Sequence, residues 1–249
     1  MSAPAATLSR PSLPRLAAVE LRKSADTRAG FWLLLVIGLL AAAVVILQLA
    51  FGDADEAHLQ PLWRSTVEVM AIILPVLGIL LVTSEWSQRT GLTTFALVPQ
   101  RERIIVAKTI GATILTLCAV AACLVVAALG NAIAGGEWNL GLGELGRYTL
   151  FELITMLGGV AFGLAFMNSA LAIVMYFVIP IGWSILGETI HALDKPADWL
   201  DLGRPMSILA DSTATMTGTN WAQLATATGV WVGVVLVIGL IRLRRTELK

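Results

Sequence analysis

Three carboxylates interrupt otherwise apolar sequence: Glu68, Glu152 and Glu188. An ionisable side chain inside a membrane span is costly, so such groups are the first candidates for contact with a substrate or ion. All three are expected within a turn or two of the outer membrane face. None falls at mid-depth, where a proton or sodium relay is usually built. That placement argues against an ion-coupled secondary transporter. The sharper expectation is that Glu68 and Glu152 line the outer part of a cavity and meet a cationic or amphipathic molecule. The plainer one is that they reach outer water or an arginine of an outer loop.

Other chemistries lack their residues. No HExxH, no GxSxG and no GxxxxGK[ST] occurs, so zinc proteolysis, nucleophile-elbow hydrolysis and Walker-type ATP binding find no support in this chain. No catalytic residue and no metal ligand is assigned. His58 and His191 fall in outer loops without a Cys or carboxylate cluster. Cys118 and Cys123 are five apart in one apolar run. On a helix they face different ways, which suits neither a disulfide nor a metal.

The elements that must position the carboxylates are membrane spans. Of 249 residues, 57% are hydrophobic and 14% charged. A soluble domain carries about 25% charged residues. Crossing the hydrocarbon core takes about 20 apolar residues. Such runs are expected as spans over 30–51, 66–83 and 109–131, then 148–167 and 170–186, and finally 222–241. Residues 148–187 hold one charge, Glu152, and are long enough for two crossings. The polar pair Asn168-Ser169 marks the break. The first run begins too late, and is too long, for a cleaved signal peptide.

Lys and Arg set the orientation. With the N-terminus inside, thirteen of them lie in inner segments and four, Arg64, Arg147, Lys195 and Arg204, in outer ones. Both termini are therefore expected in the cytoplasm. No basic patch lies outside the membrane flanks, so nucleic acid is not an expected partner.

Smaller features qualify this frame. Leu13, Leu16, Ala17 and Leu21 recur at helical spacing before the first span, with Arg15 and Arg22 opposite. An amphipathic helix in the inner interface is expected, its apolar face broken by Glu20. The outer loop 188–221 contains Pro196, Trp199, Leu200, Leu202 and Ile208, and should form a short helix on the outer surface. Trp63, Trp138, Tyr148 and Trp221 at outer ends, with Trp32 and Trp86 at inner ends, fit interfacial belts. Gly158, Gly159 and Gly163 make a small-residue stripe for close helix approach, within the chain or between copies. Pro75 and Pro180 should kink or loosen their helices.

The connector after the second span is longer than neighbouring spans require. Glu85, Arg89 and Thr90 open it. Phe95, Leu97 and Val98 turn back toward the membrane before Pro99, and Arg101, Arg103 and Lys108 precede the third span. A short interfacial helix here would present charge to a soluble partner.

This segment resembles the connector of ABC-2 type permeases: an acidic residue, a Gly/Thr turn, a short apolar helix, then Pro, basic residues and Lys. Val19-Glu20-Leu21-Arg22-Lys23, followed by Thr27-Arg28 and a Trp-bearing span, is similar to the entry segment of that family. The resemblance implies an all-α integral membrane fold of six transmembrane helices. It adds an N-terminal elbow helix with Arg15, Glu20, Arg22, Lys23 and Arg28, and a cytoplasmic coupling helix between spans 2 and 3. Glu85, Arg89, Thr90, Thr94, Pro99, Arg101, Arg103 and Lys108 would dock the ATPase.

The expected organisation is a cytoplasmic segment over 1–29, a six-span domain over 30–241 and a basic tail over 242–249. The implied function is the permease subunit of a bacterial inner-membrane ABC exporter of drugs, peptides or lipids. The implied partners are two copies of a separate ABC ATPase, which carries ATP and Mg2+, a second permease chain, identical or not, and membrane lipid. No cofactor is assigned to this chain, which is not itself expected to be an enzyme. The competing expectation is a membrane sensor or immunity protein that binds its ligand without transport.

Overall fold

The computed structural model describes residues 12–53, 57–87, 101–211 and 214–245. These form helices and no strands. In chain order they are α1 (Leu13–Asp26), α2 (Arg28–Phe51), α3 (Leu59–Ser87), α4 (Arg101–Ala134), α5 (Leu142–Phe166), α6 (Ser169–Thr189), α7 (Asp194–Leu200), α8 (Gly203–Leu209) and α9 (Gly218–Arg245). Six of them, α2 to α6 and α9, are long and apolar enough to cross a membrane.

The helices outrun the expected spans at several ends. At 1.5 Å per residue, the 29 residues of α3 and the 34 of α4 cover roughly 44 and 51 Å, well beyond a hydrocarbon core of about 30 Å. Hydropathy locates only the apolar part; the helices continue into polar flanks. The break at 168–169 falls where expected. α5 ends on Met167 in the left-handed region, and the Asn168 side chain caps α6 by accepting from the Leu171 N–H at 3.0 Å.

One residue, Thr27, separates α1 from α2. Its extended backbone turns the chain, and its hydroxyl accepts from the Gly30 N–H at 3.2 Å. α1 lays Ala17 and Glu20 inward against α4 and keeps Arg15 and Arg22 in the open.

The core sits between α3 and α5. About two thirds of their apolar windows are buried, against under a fifth for α2, α6 and α9. The glycine stripe of α5 explains the closeness. A Cβ at Gly159 would collide with the Pro75 carbonyl, and one at Gly163 would lie 3.0 Å from the Ile79 carbonyl. The stripe therefore serves packing within the chain. Pro75 and Pro180 both lie inside helices that continue past them.

Two sequence expectations need correction here. Trp63 and Tyr148 do not sit in an interfacial belt: both are buried, packed edge-to-face with centroids 6.4 Å apart. Trp32, Trp138 and Trp221 are exposed, as a belt requires. The loop after α6 folds more than expected, into a 3-10 turn (His191–Leu193) followed by α7 and α8. Buried Asp201 holds it down, accepting from Ser184 Oγ at 3.0 Å and from the Gly203 N–H at 2.8 Å.

Candidate functional site: a buried ion pair at one end and a buried carboxylate within

At the end of the bundle that holds the start of α4, Lys108 is buried inside the protein. Its ammonium donates to Glu20 Oε2 at 2.6 Å and to the Leu81 carbonyl of α3 at 2.9 Å. Lys23 donates to the other oxygen, Glu20 Oε1, at 2.8 Å. Three helices, α1, α3 and α4, are thereby pinned by one side chain. Burying a charge is tolerable only with such pairing, and losing one partner strands the other. Burial alone pushes the Glu20 carboxyl up, but Lys108 and then Lys23 more than offset it. The group lies below the usual glutamate range.

The interruption of the apolar face of α1 is thus the residue that docks it. Lys108 does not present itself to a partner; it closes the connector motif as an internal tie within α4. Of the other expected docking residues, Arg103 is half-buried on α4. Arg101 and Glu85 are described by backbone alone, at the first turn of α4 and the last of α3. Arg89, Thr90, Thr94 and Pro99 lie outside the described residues. Near the start of α4, Arg244 of α9 pairs with Glu102 at 2.6 Å, and Arg242 donates to the Ala165 carbonyl of α5 at 2.7 Å. The C-terminal end of α9 therefore reaches the same end of the bundle as α1. Of the remaining α1 and α2 residues, Arg22 pairs with Asp26 at 3.2 Å, and Arg28 is exposed.

The two expected cavity carboxylates part company. Glu68 is exposed and pairs with Arg64 one turn before it, at 3.0 Å. It lines neither cavity described below. Glu152 is completely buried. α5 begins at Leu142, so Glu152 lies ten residues, or about 15 Å, along the helix, on a face covered by the rest of the bundle, and its side chain is closed to solvent. Thr155 donates to the Glu152 carbonyl at 2.9 Å and approaches Oε2 at 3.4 Å, while Oε1 has no hydrogen-bond partner among the described residues.

On the other side of Thr155 lies a cavity of about 210 Å³ between α5, α6, α8 and α9. Phe151, Phe162, Tyr176, Phe177 and Trp231 give it aromatic walls. The Tyr176 hydroxyl donates to the Thr155 carbonyl at 3.3 Å, and Trp231 Nε1 donates to the Leu200 carbonyl at 2.6 Å. Two helix irregularities border it: Pro180 in α6, and a π-helical turn over Gly229–Val234 in α9 that carries Trp231. Such wide turns occur frequently at functional sites. A second cavity, of about 270 Å³, lies between α2 and α4, lined by Leu34, Gly38, Cys118 and Cys123 among other apolar residues.

Thr155, Tyr176 and Trp231 carry no sequence motif. Their signal is weak: polar or amphipathic side chains in the middle of apolar runs.

Compared with models of protein families, the sequence matches none; compared with curated proteins, it also finds no match. The described residues contain no group of three His, Cys, Asp or Glu side chains able to hold a metal ion.

Proposed function

We propose that this chain is the membrane-spanning permease subunit of an ATP-driven exporter of the ABC-2 type, moving lipophilic or amphipathic molecules out of a bacterial cell. One observation carries the reading: Lys108, which closes the connector, meets Glu20, in the centre of the entry segment. The two stretches that carry the resemblance are in contact. In this reading α1 is the elbow helix on the cytoplasmic side, both termini are cytoplasmic, and the connector between α3 and α4 is the coupling helix. An ATPase subunit pushing on the connector would move the ends of α1, α3 and α4 together, because Lys108 ties all three. α3 and α5, rigidly packed through Gly159 and Gly163, would carry the displacement into the bundle. The weakly buried faces of α2 and α6 leave room for lipid and for a second permease chain. ATP and Mg2+ belong to the partner, one ATPase for each permease.

The test is purification of the tagged chain from its own membranes in mild detergent. A stoichiometric partner with Walker and ABC-signature motifs is expected, with ATP turnover that rises on adding a lipophilic compound. Ligand binding by the chain with no such partner would replace export by the sensor reading.

A further inference from the structure

The aromatic cavity and the buried carboxylate behind it form one unit. Thr155 belongs to both: it lines the cavity and approaches Glu152 Oε2 at 3.4 Å. Glu152 itself is fully buried and keeps Oε1 unpartnered among the described residues, although a buried polar atom is normally satisfied. We propose that this cavity, within a single chain, is a binding site for a hydrophobic molecule carrying one organic cation, with the charged nitrogen at the Thr155 side and the apolar body toward Ile181 at the mouth.

The chemistry follows from the walls. Aromatic faces attract ammonium groups that have shed water, and the attraction is stronger for a desolvated site. Five aromatic rings surround the space, and the lining is otherwise almost wholly apolar. A neutral hydrocarbon would be held as well by any apolar cavity. A free metal ion would find too few oxygen ligands there. An alkylated or protonated amine uses both features: rings around its methyl or methylene groups, and a buried carboxyl across one hydroxyl that ionises when the cation supplies the partner it lacks. The Trp231 π turn and Pro180 place the walls out of regular helical register, which is how a ligand-sized gap persists between otherwise straight helices. Ile181 lines the cavity and is exposed, so the cavity is open to the surroundings beside it.

The inference deepens the exporter reading by naming the substrate class, but it is tested without any ATPase. The chain alone is placed in lipid nanodiscs, and binding of benzyltrimethylammonium is measured by equilibrium dialysis against empty nanodiscs. Its neutral isostere, neopentylbenzene, is measured alongside. Saturable binding of the cation is expected. Glu152→Gln should weaken it about tenfold or more while leaving the isostere unchanged. Ile181→Trp, a change at an exposed position that fills the mouth, should abolish saturable binding of both. Equal binding of cation and isostere by the wild-type chain, or cation binding indifferent to Ile181→Trp, overturns the proposal even if Glu152→Gln proves unable to fold. Either failure leaves the ATPase reading standing. Conversely, a chain that binds the cation but retains no ATPase keeps this site and loses the exporter.

Discussion

Glu20 and Lys108 are 88 positions apart in sequence and 2.6 Å apart in space. Neither is free to seek water. The pair decides where α1 lies, because that helix is otherwise joined to the bundle by a modest apolar face. It also fixes the end of α4 against the Leu81 carbonyl of α3.

Breaking the pair one side at a time should therefore cost more than removing it whole. Glu20→Gln takes the counter-charge from the buried Lys108 ammonium, and breaking a buried pair in this way typically costs about 3–5 kcal/mol; Lys108→Met should cost less, because Glu20 keeps Lys23 at 2.8 Å. The double replacement removes both charges and should recover a large part of that loss. Thermal unfolding of the purified chain in detergent, analysed as a double-mutant cycle, measures the coupling. Additive effects of the two single changes would show that the contact carries no energy.

The same pair sets a pH dependence. The Glu20 carboxyl lies below its ordinary value of 4.5, because Lys108 and Lys23 outweigh the effect of burial. A lowered carboxyl stabilises the folded arrangement above the ordinary value, and that contribution is lost as pH falls through the folded one. Docking of α1 should thus be constant from neutral pH down to about 5 and weaken only below the normal glutamate range. A spin label on exposed Val19 reports this as increased mobility in acid. Loosening between pH 8 and 6 would assign the docking to some other group.

Most of the bundle was legible in the sequence, since apolar runs bounded by charge define spans whatever surrounds them. Asn168-Ser169 could be recognised as a break because a cap needs a polar side chain, and the middle of the run has no other polar pair. What escaped was tertiary. Glu20 looked like a defect because the sequence shows only one face of the contact, and its partner lies beyond two spans. A lone lysine flanked by apolar residues, such as Lys108, was the available hint. Trp63 and Tyr148 look interfacial by type and position, yet each buries the other. The π turn around Trp231 has no local signature, so the cavity wall it builds could not be foreseen. The burial of Glu152 escaped because hydropathy reads composition along the chain and not which neighbours cover a helix face.

The α3–α5 contact offers a sharper test of packing. Gly159→Ala puts a methyl group into the Pro75 backbone, where no side-chain rotation relieves it. Overpacking of this kind costs about 1–3 kcal/mol. Gly143→Ala, on the same helix but facing open space, should leave stability unchanged or slightly raised. Melting temperatures of the two variants in one detergent make the comparison direct. Similar destabilisation by both would mean that the close approach at Gly159 does not limit packing, since helix propensity favours Ala at both positions.

The connector separates docking from stability. Glu85 and Arg89 are four residues apart, one helical turn if the helix of α3 is extended that far, so they can share a face. In the exporter reading they enter a groove on the ATPase, where a desolvated charge pair matters far more than an exposed one. Lys108 acts differently, since it is buried and tied to Glu20. In that reading Glu85→Ala with Arg89→Ala should leave the unfolding free energy within about 0.5 kcal/mol of wild type, while partner retention and substrate-stimulated ATP turnover fall. Lys108→Met should show the opposite order: stability drops first, and loss of the partner follows from it. Both are compared at matched expression, by co-purification and by unfolding of the chain alone. Wild-type partner retention in the Glu85/Arg89 double variant would falsify the coupling role of the connector, and the contact between Glu20 and Lys108 would then be a structural tie only.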